Sequence, residues 1–233
     1  MPGIDLETSR QVISISERHP NLYAAVGIHP NEALSWDEQT LSELRAMACH
    51  PRVLAIGEIG LDYYRDRAPR ELQHQILQFQ IELAAEIEKP IIIHSRESIQ
   101  DLWPILSSWQ SNLAHHRSPL ARHPGVLHSY DGNISTALKA IEQSFMIGIS
   151  GPVTFRNAPI RQELVAALPL ESLLLETDAP FLTPHPMRGK RNEPAFIPLI
   201  AEKIAELHAQ PRPVVAEITT RNAHRLLGWR SDL

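Results

Sequence analysis

Several ionisable residues sit where short apolar runs end: Glu58 in "GEIG", His94 in "IIIHSR", His128 in "VLHSY" and Asp178 in "LLETDAP", with His29 closing a fifth run, "VGIHP". A carboxylate at the tip of a buried strand is costly unless a cation or a hydrogen-bond network replaces the lost water, so Glu58 calls for a partner. Taken singly, a strand-end histidine is an ordinary hydrogen-bonded residue, Asp178 is a helix cap, and Glu58 pairs with an arginine. Taken together, acid, imidazole, imidazole and acid at successive strand ends form a metal-ligand set. Imidazole nitrogen and carboxylate oxygen suit zinc, manganese, magnesium or iron at hydrolytic sites, and one carboxylate can bridge two ions. Asp178 can then both bind metal and move the proton of a water whose pKa is lowered toward about 7.

The elements that must position these residues alternate. Apolar runs at 23–30, 53–62, 90–96, 125–130, 145–151 and 172–180 read as six strands. Between them, "SWDEQTLSELRAMACH", "PRELQHQILQFQIELAAEIEK", "ESIQDLWPILSSWQ", "ISTALKAIEQ" and "APIRQELVAAL" carry apolar residues at helical spacing. Strand–helix alternation implies an α/β fold of parallel strands joined by right-handed crossovers, with both sheet faces covered. In a parallel barrel all strand C-termini open onto one face, so distant residues converge there. The stretch 111–125, "SNLAHHRSPLARHPG", reads as a loop.

With 233 residues and 43% hydrophobic content, one core and a single domain spanning 1–233 are expected. A net charge of -5 argues against an extended nucleic-acid coat and leaves room for a local basic rim. The single cysteine, Cys49, excludes an internal disulfide and reads as a buried, inert thiol of a cytoplasmic protein; no apolar run suits a membrane span or a signal segment. Arg96 follows His94 by two residues, and "MRGKRNEP" brings Arg188, Lys190 and Arg191 into the loop after the last strand, where barrels often bind phosphate. An anionic substrate is therefore expected. Tyr63 and Tyr64 are candidates for stacking on bases, with core packing the alternative for at least one.

"GEIGLDYY", "IIIHSRES", "LHSYDG", "LLETDAPFLTP" and "RGKRNEP" resemble the motifs of the TatD family of metal-dependent deoxyribonucleases, within the amidohydrolase-like barrel superfamily. The resemblance runs in order from Pro2 to about Trp229. It implies a (β/α)8 TIM barrel, two divalent cations and hydrolysis of DNA phosphodiester bonds. Carried over by motif, the metal ligands are Glu58, which bridges the ions, His94, His128 and Asp178. Two other readings of the same residues are a barrel hydrolase acting on an amide, lactone or small ester, and a non-catalytic barrel remnant.

One departure stands out. Members of that family open with a strand bearing an H-x-H pair, and none of the twelve histidines here lie two apart. The six runs also fall short of the eight strands of a closed barrel. The sequence-based expectation is a barrel shortened at its N-terminus by about one and a half strand–helix units, which retains one well-held ion of the two.

Overall fold

The computed structural model describes residues 1–65 and 67–228, in two compact units: 1–126 joined by 227–228, and Leu127–Leu226. All six expected strands occur among the described residues, separated by helices as the alternation requires.

In the first unit, α1 (Leu6–Arg18) starts at Asp5, whose side chain accepts from the Thr8 amide while Thr8 returns a bond to the Asp5 amide. This reciprocal cap satisfies two orphan donors of the first turn. There follow β1 (Ala24–Val26), α2 (Thr40–Ala48), β2 (Val53–Asp62), α3 (Arg70–Glu86), β3 (Ile91–Arg96), α4 (Ile99–His115) and β4 (Gly125–Leu127). Strand β2 pairs in parallel with β1 on one side and β3 on the other. Residues 1–4 run extended beside β1, with Pro2 bridged to Ala25. Ile56, Ile59 and Leu61 of β2, Ile91 and Ile93 of β3 and Ile76, Leu77 and Ile81 of α3 are all buried. Each such side chain contributes about 1.5–3 kcal/mol on leaving water.

The second unit carries α5 (Ile134–Glu142), β5 (Met146–Ile149), α6 (Pro159–Ala167), β6 (Leu173–Leu175), α7 (Ile197–Leu207) and α8 (Arg212–Leu227). Strands β5 and β6 pair in parallel in register Ile147↔Leu173 to Ile149↔Leu175. Asn222 of α8 is buried and donates to the Leu170 and Leu173 carbonyls, tying that helix to the start of β6.

Three differences from the sequence reading have local causes. Helix α4 continues to His115 through part of the expected loop, because Leu113 extends the buried stripe begun by Leu102, Leu106 and Trp109; a short 3-10 turn follows at Pro119–Arg122. Cys49 is exposed rather than buried. The buried stripe of α2 is Thr40, Leu44 and Ala48, one residue in four, and Cys49 falls just off it. Finally, Glu58 lies within β2 rather than at its end. No helix among the described residues is long and apolar enough to cross a membrane.

Candidate metal centre

A ten-residue strand can hold an interior acid because its pairing breaks there. Ile56 of β2 faces Ile91 of β3, but the next partners are Ile59 and Ile93, so β2 spends three steps where β3 spends two. Such a bulge re-aims side chains, and the residues inside it are Gly57 and Glu58. Beyond it, Gly60 adopts φ +147 and faces His94, where a Cβ would lie 1.9 Å from the His94 carbonyl oxygen. Only glycine fits that crossing.

His94 is held between two carboxylates. Its Nδ1 lies 2.9 Å from Glu58 Oε1 and its Nε2 lies 3.1 Å from Asp62 Oδ2. Asp62 is buried and itself fixed: Oδ1 accepts from the amides of Tyr64 (3.0 Å) and Arg65 (2.9 Å), and Oδ2 accepts from Asn31 Nδ2 (3.1 Å). Burial alone drives the His94 pKa down, but its hydrogen bonds to the Asp62 and Glu58 carboxylates overcome it and raise the value to about 9. Burial likewise opposes charge on Asp62, yet His94, the Arg65 amide and Asn31 hold its carboxyl well below the usual carboxylate range.

His29, just beyond β1, completes the group. Its ring lies edge-on to that of His94 with centroids 4.3 Å apart, its Nε2 is 3.8 Å from Glu58 Oε1, and its Nδ1 accepts from the Asn31 amide at 3.0 Å. Two buried glutamines of α3, seven residues apart and so on one helix face, anchor the backbone beneath. Gln73 accepts from the Asp62 amide and donates to its carbonyl (2.8 and 3.1 Å); Gln80 does the same for Ile28 (2.7 and 3.1 Å).

One ligand atom from each of His29, Glu58 and His94 falls within 4.8 Å of the others. Nitrogen and carboxylate donors, low exposure and an outer carboxylate behind one histidine fit a divalent cation.

In the second unit, His128 follows β4 and Asp178 follows β6, and the two meet: His128 Nε2 is 3.4 Å from Asp178 Oδ1. His128 Nδ1 lies 2.9 Å from Glu176 Oε2, and the Ser129 amide donates to Glu176 Oε1. This repeats the arrangement at His94, with one ring nitrogen turned to a supporting carboxylate and the other to a candidate ligand. Asp178 adopts φ 57, a left-handed conformation that aspartate tolerates. Buried Asn192 donates to the Thr177 and Phe181 carbonyls at 2.6 Å each, clamping the "RGKRNEP" loop onto the segment that carries Asp178. Within that loop Lys190 and Arg191 are exposed, and Arg188 lies 4.2 Å over the Phe155 ring. In the first unit Arg96 ends β3, exposed, with its guanidinium 5.1 Å over Tyr64. Tyr64 is exposed, whereas the Tyr63 hydroxyl reaches Asp101 Oδ2 at 2.8 Å and His74 Nε2 at 2.7 Å.

The whole of residues 1–228 matches the family model described as TatD related DNase. The chain belongs to the TatD family. Among its relatives, a metal-dependent hydrolase, YabD, of Bacillus subtilis is 39% identical over 96% of this chain and 84% of its own length. A 3'-5' ssDNA/RNA exonuclease, TatD, of Salmonella typhimurium is 32% identical over 97% of this chain and 85% of its own. The crystal structure of YJJV, a TatD homologue from Escherichia coli, superposes with a TM-score of 0.89 at 29% identity, over 99% of this chain and 86% of that one. As a TatD-family metal-dependent hydrolase, the chain has a use for the His/Glu/His group just described.

The sequence reading missed Asp62, Glu176, Asn31 and the two glutamines. Asp62 lies four residues after Glu58 in the same strand, an even spacing that puts both on one face of an extended chain, whereas Glu176 and Asp178 lie beyond the end of β6, where strand spacing gives no such signal.

Proposed function

We propose that this chain hydrolyses phosphodiester bonds of DNA on the (β/α)8 frame that family membership implies, using divalent cations held by Glu58, His94, His128 and Asp178. The observation that carries the reading is the pair of buried Glu58 and half-buried His94 with buried Asp62 behind it, in a chain whose relative is named an ssDNA/RNA exonuclease. A bound divalent ion supplies a more acidic water and offsets charge on the phosphoryl oxygens. Asp178 accepts a proton of the attacking water as the water's oxygen bonds to phosphorus; the ester P–O bond breaks, and the leaving oxygen keeps that bond's electron pair and takes up a proton from solvent. Arg96, Lys190 and Arg191 bind substrate phosphates, and the exposed Tyr64 ring beside Arg96 suits a stacked base. A free, exposed Cys49 suits a reducing, cytoplasmic compartment.

The test is hydrolysis of single-stranded DNA by the purified chain, first treated with chelator and then given magnesium, manganese or zinc in turn. RNA, an amide and a lactone serve as parallel substrates, and elemental analysis gives the metal content. Metal-restored cleavage of DNA is expected; metal-restored hydrolysis of the amide or lactone with intact DNA would overturn the substrate.

A further inference from the structure

Arg188 sits in a tight turn of the "RGKRNEP" loop. The Lys190 amide donates to the Met187 carbonyl at 3.1 Å and Gly189 adopts φ +86, a pair of features that places Arg188 at the second of four turn positions. From there its side chain lies back over Phe155, with the guanidinium carbon 4.2 Å from the ring centroid.

The ring beneath it is fixed. Phe155 is half-buried, its amide donates to the Pro152 carbonyl at 3.0 Å, and its carbonyl accepts from Gln162 Nε2 at 3.0 Å. The two loops are also joined directly: the His185 amide donates to Thr154 Oγ1 at 2.7 Å, and a Cβ on Gly151 would lie 1.9 Å from the Leu182 carbonyl oxygen. Backbone bonds and close backbone contact thus set the loops in place, and the guanidinium is left as a binding group. Arg188 is exposed, and among the described residues it makes no ion pair and no hydrogen bond. A guanidinium lying on a ring has one face covered while its N–H donors point outward in its own plane, so little freedom remains to be lost on meeting a pair of anionic oxygens. Asn192, four residues on, donates to the carbonyls of Thr177 and Phe181, on either side of Asp178. The turn is therefore tied to the segment that carries the proton acceptor.

We infer that Arg188 is a fixed fork for the two non-bridging oxygens of a substrate phosphodiester, and that Phe155 is the positioning residue that holds it. The choice of substrate rests on the phosphodiesterase reading.

Binding of the full chain, as purified, to a fluorescent single-stranded oligothymidylate with phosphorothioate links, which keep the charge and resist cleavage, reads the contact by anisotropy. Arg188→Ala should weaken binding about tenfold or more and shrink the slope of log K against log salt by about 0.7, one phosphate contact. Arg188→Lys should restore the slope but recover less than half of the lost affinity on a log scale, because the charge returns without the fork. Phe155→Leu should weaken binding about threefold at an unchanged slope, and Phe155→Tyr should bind like the unaltered chain. Once Arg188 is alanine, Phe155→Leu should have no further effect. The Arg188 losses should persist on a strand of abasic sites, which keeps the phosphates and lacks the bases.

Unchanged affinity in Arg188→Ala, full recovery with lysine, or a Phe155→Leu loss that is the same with and without Arg188 would overturn the proposal, as would a loss confined to strands that carry bases. No binding by the unaltered chain at low salt would overturn it outright. Binding without metal-restored cleavage of ordinary single-stranded DNA would instead remove the phosphodiesterase reading and leave the fork standing.

Discussion

A Cβ on Gly148 would lie 2.4 Å from Oε1 of Glu176, so the bare backbone of β5 is what makes room for the carboxylate that supports His128. The three nearest atoms all belong to that carboxylate, so the displaced group would be the end of a flexible side chain. Gly148→Ala should therefore cost little stability, since alanine in a strand also removes about 0.5–1 kcal/mol of unfolded-chain entropy. It should nonetheless lower kcat by about tenfold or more by pushing Glu176 off His128, the scale seen when a ligand's outer partner is lost. Thermal melting and steady-state kinetics on the same preparation check the pair of outcomes; an unchanged kcat would remove Glu176 from the machinery.

Asp178→Asn isolates the proton-accepting role. Asparagine tolerates the left-handed backbone that Asp178 adopts at φ 57, so the loop should stay in place and the melting curve should not move. Turnover should fall by about two to four orders of magnitude, the range for losing a positioned acid–base group. Near-normal single-turnover rates would sink the assignment.

How far the sequence could be read depended on the kind of signal. Six strands and five helices were legible because apolar periodicity reports burial directly, and β2 emerged with its bounds at Val53 and Asp62. The candidate ligands were legible because acids and imidazoles interrupt those runs. Their supports were not. Gln73, Gln80 and Asn31 look like ordinary polar residues of a helix and a turn until the fold brings a backbone group within 3 Å of them. The bulge that turns Glu58 inward is a matter of pairing between β2 and β3, which a single strand's pattern cannot reveal. Cys49 was misread for a related reason, since one position along a helix separates the buried stripe from solvent.

Tyr63 links the segment after β2 to α3 and α4, donating to Asp101 beside His74. Burial first, and then the bond to Asp101, pushes its pKa up to about 12. An unfolded phenol titrates near 10, so the neutral hydroxyl's contribution is fully present below about pH 10 and is lost as pH rises toward 12. The wild-type chain should resist urea better than Tyr63→Phe at neutral pH, and the gap should close between about pH 10 and 12. A gap that stays constant across that window would show that the hydroxyl contributes nothing.

The exposed cations of the "RGKRNEP" loop allow the test that is most specific to nucleic acid. Lys190 and Arg191 are exposed on a loop whose shape is set elsewhere, by Asn192 bonding to Thr177 and Phe181 and by Thr183 donating to the Lys190 carbonyl at 2.6 Å. Replacing both side chains with alanine should therefore leave the loop and the melting temperature unchanged. If they neutralise two phosphates, binding of single-stranded DNA should weaken, with KM rising and kcat little altered, because that contact is made equally in the ground and transition states. The salt dependence gives the independent check. Each lost phosphate contact releases fewer counterions, so the slope of log K against log salt should shrink by about 1.4, two charges at about 0.7 each. A raised KM with an unchanged slope would mean that the substitutions disturbed the loop rather than removed phosphate contacts, and an unchanged KM would return both residues to the solvated surface.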